Sequence, residues 1–162
     1  MPTQTYEPIA TFTVTTPLSA VVFGSPSPLP TTYADLVLVV HGALTGSAVK
    51  YIYFNGVTTN QSCNTLTGDA GGGTTNAVYS SCYLDVVNSS TNTFTNVVNV
   101  FQYNNTNMEK SYLSKGNSAA TAVEWISGRW ASTAAITSIG VTTSSNNFAT
   151  GTVFSLYGIA SA

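Results

Sequence analysis

The chain has 162 residues, enough for one domain with a sizeable core, and only 6% of them are charged, against about 25% in an ordinary soluble domain. Four Lys and Arg against six Asp and Glu give a net charge of -2, which excludes binding to rows of phosphates and basic-cluster attachment to acidic lipid. A composition 43% apolar and 11% aromatic excludes disorder, and one His with two Cys excludes a zinc site built from those residue types.

Short runs rich in Val, Ile, Thr, Tyr and Phe, separated by Gly, Pro, Asn and Ser clusters, predict an all-β chain. Met1 to Glu7 has neither a basic start nor an apolar stretch after it, so no signal peptide is expected. The first strands are expected over 9–15, where Phe12 and Val14 alternate with Thr11, Thr13 and Thr15, and over 18–23. Three prolines between Ser25 and Pro30 then remove backbone donors and mark a connection. The run 35–41 is apolar on both faces from Leu36 to Val40, as in a central strand, and falls far short of the ~20 residues that span a bilayer.

The next strand, 49–55, carries Tyr51 and Tyr53 on one face and stops at Asn55-Gly56, a tight-turn pair. Gly68 and the cluster Gly71-Gly72-Gly73 predict a long exposed, flexible loop over 57–76. The run 77–87 reads as one strand, with Val78, Cys82, Leu84 and Val86 on one face and Tyr79, Ser81, Tyr83 and Asp85 on the other. Further strands are expected over 94–103, 108–115, 121–130, 135–141 and 152–159. Ala119, Ala122, Val123 and Ile126 also keep helical spacing, which allows a two-turn helix against the all-β pattern. No repeat or linker divides the chain. Many short strands without a crossover helix predict a single domain over 1–162, a two-sheet antiparallel β-sandwich of jelly-roll type.

Candidate chemistry is sparse. His41 is the one imidazole, no Gly-x-Ser-x-Gly elbow occurs, and Glu7, Asp35, Asp69, Asp85, Glu109 and Glu124 are spread singly. Pairing of these groups through the fold stays open. Asp69, helped only by Asn64, Thr65 and Thr67, lacks calcium-loop spacing, and the glycine cluster lacks the endings of a phosphate cradle, so no cofactor is expected. Cys63 and Cys82 are read as two free thiols, Cys82 buried beside Leu84. The aromatics remain as binding material if exposed and as core if buried: Tyr51 with Tyr53, Tyr79 with Tyr83, and the segment Trp125, Arg129 and Trp130, which reads equally as an interface anchor or as a core tryptophan pair beside a surface Arg.

Several stretches together resemble a family of small phage virion proteins: Tyr6 to Thr11, Tyr33 to Val39, Phe54-Asn55-Gly56, Tyr112 to Gly116, Trp130 to Ile139 and Asn147 to Ile159. The last, with Asn147-Phe148, the Gly151 turn and Leu156-Tyr157-Gly158-Ile159, is the most specific. Gly140-Val141 and a long proline stretch before Tyr33 depart from the pattern. The resemblance implies a non-enzymatic building block made in the host cytoplasm and carried on the particle. The first expectation is a head decoration (cement) protein, self-associating as a trimer and bridging major-capsid subunits, without nucleic acid or membrane as partner. The alternative is a tail-fibre or receptor-binding module that contacts host glycans through its tyrosines or the 57–76 segment. A hydrolase relying on His41 is the remaining class.

Overall fold

Alternating residue character becomes alternating burial along most strands of the computed structural model, which describes residues 5–69, 74–89, 93–118 and 122–160. Among them are twelve strands: β1 Tyr6–Thr13, β2 Ala20–Phe23, β3 Asp35–Gly42, β4 Ala48–Phe54, β5 Gln61–Asp69, β6 Thr74–Tyr79, β7 Tyr83–Ser89, β8 Phe94–Phe101, β9 Lys110–Ser118, β10 Ala122–Trp130, β11 Ile139–Thr143 and β12 Val153–Ile159. Eight form an antiparallel sheet in the order β1-β12-β3-β8-β9-β10-β5-β6, and four form a second, β2-β11-β4-β7. One hydrophobic core lies between them, so the chain is an all-β, two-sheet sandwich.

The chain order explains how the large sheet grows. Without the hairpins β5–β6 and β9–β10, eight strands remain in two four-stranded sheets, β1-β12-β3-β8 and β2-β11-β4-β7. Successive strands of this set change sheet at every step but one, β4 and β7 being neighbours in the small sheet. The two hairpins, inserted at separate points of the chain, meet where β10 pairs with β5 and extend only the first sheet. Strand β7 of the small sheet packs over β8, β9 and β10.

Central placement follows apolarity. β3 lies between β12 and β8 and buries Leu36, Leu38 and Val40 on one face and Val37 on the other. In β4, Ala48, Lys50, Ile52 and Phe54 point inward while Val49, Tyr51 and Tyr53 point outward. Asn55 and Gly56 both have positive φ, and the turn closes with the Val57 amide on the Phe54 carbonyl at 2.9 Å.

Four sequence expectations are corrected. Residues 61–69 and 74–76, expected within a loop, belong to the strands β5 and β6; positions 70–73 lie outside the described residues. The inward positions of β5 are Gln61, Cys63 and Thr65, whose modest polarity hides the strand period, and pairing with β10 satisfies the backbone. The expected strand 77–87 is two strands. The break at Ser80 and Ser81 resets the facing, leaving Val78 77% exposed while Cys82, Leu84 and Asp85 are buried. The helical option at Ala122 to Ile126 is strand β10, held on both sides by β9 and β5, and Ala119 lies outside the described residues. Finally, β11 starts at Ile139 rather than Ala135. The Asn55 side chain takes over the backbone of the preceding loop, accepting from Thr137 N at 2.7 Å and Ser138 N at 3.1 Å and donating to Ala135 O at 2.8 Å.

Gly140 in β11 also has a structural reason. It pairs with Tyr53, and a Cβ there would lie 2.0 Å from that ring, so the missing side chain makes room for the tyrosine. Gly128 does the same for Tyr112 on the core side, where the clearance would be 1.8 Å.

Candidate functional site

The outer face of β10 and its neighbours collects exposed apolar side chains. Odd-numbered residues of β10 point out, so Val123 and Trp125 face solvent, Trp125 being 50% exposed. Trp125 sits opposite Leu66 of β5, and Val123 opposite Gly68. With no side chain at Gly68, a shallow hollow of about 260 Å³ opens between Leu66, Val123 and Trp125. Val78 of β6 adds a further apolar group one strand on, and the Lys115 ammonium lies 4.6 Å from the Trp125 ring centre. β6 pairs only with β5 among the described residues, so its other edge is open beside this patch.

Strand parity divides the three anchor candidates of this segment. Arg129 shares the outward face with Trp125 and is held by Glu109, its Nη2 donating to Oε1 at 2.8 Å. Trp130, one residue on, must point inward; it is 4% exposed and packs on Phe54 with ring centres 5.8 Å apart. Trp130 is therefore a core residue, and its expected place in an interface is corrected.

A second surface lies on the small sheet. Tyr83 brings the two sequence-predicted tyrosine groups together, with its ring 4.9 Å from that of Tyr51 and 4.7 Å from that of Tyr79. Tyr53 lies across Gly140 in the next position. A concavity of about 370 Å³ between Tyr51, Tyr53, Ser81 and Thr142 carries hydroxyl groups beside half-buried rings. Burial, and then the neighbouring Tyr51, push the Tyr83 phenol up to about 12.

The reactive residue types are taken up in structural contacts. His41 Nδ1 meets Thr95 Oγ1 at 2.8 Å on the exposed side of β3. Glu7 accepts from the Tyr33 hydroxyl, and Asp35 from the Gln102 amide. Both cysteines are buried free thiols, and desolvation pushes the Cys82 thiol up to about 12 and raises that of Cys63. Among the described residues, no three His, Cys, Asp or Glu side chains converge as metal ligands.

One group was missed by sequence reasoning. Lys50 and Asp85, cross-strand partners on β4 and β7, form an ion pair of 3.0 Å between the sheets, with 0% and 1% of their side chains exposed. The signal was present: Lys50 falls on the same parity as Ala48, Ile52 and Phe54, an apolar inward face. Asp85 carried no comparable signal, because it sits on the parity opposite buried Leu84 and turns inward only where the β4–β7 register shifts between Lys50 and Tyr51.

No family model, curated protein or solved structure matches this chain.

Proposed function

We infer that the chain is a non-enzymatic structural protein that works by joining other protein surfaces. The observation that carries this reading is the apolar patch of Leu66, Val78, Val123 and Trp125 beside the open edge of β6. Side chains of this size standing in water mark a place where association removes apolar area at little cost in charge desolvation. An uncharged Ser, Thr and Asn surface around such anchors suits permanent packing in an assembly.

The setting we propose is a phage virion, in which the protein decorates the head as a self-associating cement subunit across major-capsid proteins. The residue stretches that resemble small virion proteins support it. So does the interleaved order β1-β12-β3-β8 over β2-β11-β4-β7, which is the order expected of a jelly roll with two inserted hairpins. The test is co-sedimentation of the purified protein with expanded empty heads. Saturable binding, weakened by Trp125→Ser, is expected; no binding to heads at any concentration would overturn the cement assignment.

The tyrosine concavity favours a second reading, a receptor-binding module for host glycans, since rings beside hydroxyl groups are suited to stack on and hydrogen-bond to sugars. Binding on a glycan array that disappears with Tyr51→Ala would select this reading over cement.

A further inference from the structure

Burying an ammonium and a carboxylate together is expensive, because water no longer solvates either charge. Lys50 and Asp85 lie side by side across β4 and β7 with 0% and 1% of their side chains exposed. The Phe94 ring lies 4.2 Å from Lys50 Nζ, and Asn96 Nδ2 donates to Asp85 Oδ2 at 3.4 Å. Gly116 makes the space: a Cβ there would collide with Asn96 Nδ2 and come within 3.6 Å of Asp85 Oδ2. Gly116 pairs with Asn96 on one side and with Glu124 on the other. Glu124 thus continues the same inward row, buried, its Oε1 accepting from Thr67 Oγ1 at 3.2 Å. Asp85 and Glu124 are the buried carboxylates among the described residues, and Lys50 stands with them between the sheets.

We propose that Lys50 and Asp85 condense into an intramolecular amide that ties β7 to β4, with Glu124 as the proton carrier. One proton passes from the ammonium to the Asp85 carboxylate, giving an amine and a carboxylic acid. The Nζ lone pair attacks Cγ and forms the N–C bond. A second Nζ proton passes through the Glu124 carboxylate to the Asp85 hydroxyl, the Cγ–O bond breaks, and water leaves. Ammonium and carboxylate have become amide and water, with no oxidant or reductant. Contact at 3.0 Å supplies the proximity that a bimolecular condensation lacks. Asn96, donating to the Asp85 oxygen, stabilises the negative charge that develops there. The new amide N–H adds a donor where Asn96 Oδ1 is a buried acceptor with no partner.

Mass spectrometry of the denatured full-length protein tests this directly. Acylated Lys50 is no substrate for trypsin, so residues 1–110 are expected in one piece, lighter by one water than their sequence. Chymotrypsin should then give a branched pair of peptides joined at Lys50 and Asp85. Glu124→Gln, with a β-sheet circular dichroism spectrum like that of the parent, should keep the full mass and be cut after Lys50. The proposal is overturned if the parent protein has its full sequence mass and is cut after Lys50. It is equally overturned if the missing mass maps to another pair, including loss of ammonia with a link to Asn96. Complete condensation in the Glu124→Gln protein would remove Glu124 from the mechanism.

Discussion

Burial sets the chemistry of individual side chains in this protein. The Cys82 thiol, pushed up to about 12 by desolvation, holds almost no thiolate near neutrality, and Cys63 is raised for the same first cause. Both thiols are therefore expected to stay unmodified by an aromatic disulfide reagent in the native protein and to react once it is denatured. Fast labelling of the native form would contradict their burial. Tyr83 supplies a pH prediction. Its folded value of about 12 lies above the ordinary 10.0, so the folded state binds the extra proton between those values. Its contribution to stability is complete below pH 10.0 and is lost as pH rises toward about 12. Urea midpoints measured across that window should fall, and in Tyr83→Phe they should fall less. Gly128 lies under the Tyr112 ring, so Gly128→Ala forces overpacking and is expected to cost about 1–3 kcal/mol in a urea titration. Gly68→Ala, with only a Val123 methyl at 3.6 Å, should stay within about 0.5 kcal/mol.

Strand β10 puts two tryptophans five positions apart on opposite faces, and their substitution separates core from surface. Trp130→Ala removes a buried ring packed on Phe54 and is expected to cost about 3–5 kcal/mol of stability. Trp125→Ala should change stability little and weaken association instead; thermal melts and light scattering of the two variants distinguish the outcomes. The same strand shows what could be read from the sequence. The shared parity of Tyr51 and Tyr53 marks the outward face of β4, and apolarity on both faces marks β3 as central, whereas β10, with Val123 and Trp125 outward and Glu124 and Gly128 inward, does not alternate in residue character and so also allowed a helix. β5 was hidden because Gln61, Cys63 and Thr65 occupy its inward positions, so polarity no longer reports facing. The tyrosine groups were legible as faces, but their convergence on Tyr83 depends on the pairing of β4 with β7, which no local pattern encodes. Lys50 with Asp85 is the same case: two charges far apart in the chain meet through register alone.

The whole molecule combines a sandwich core with an extension of one sheet that leaves an apolar outer face and ends at β6, which among the described residues pairs only with β5. With a net charge of -2 and 6% charged residues, association through this face should respond weakly to ionic strength, since few charges are available to be screened. Sedimentation at low and high salt is expected to give the same particle size; dissociation by salt would point to a charged interface such as Arg129 with Glu109. The most direct measurement of the central reading is absolute particle mass by light scattering over a range of protein concentrations, on the parent chain and on a Leu66→Ser, Trp125→Ser double variant. The account predicts a whole-number multiple of the chain mass, a trimer, for the parent and a single chain mass for the variant. A parent protein that stays a single chain at every concentration, or a variant that assembles as the parent does, would contradict it.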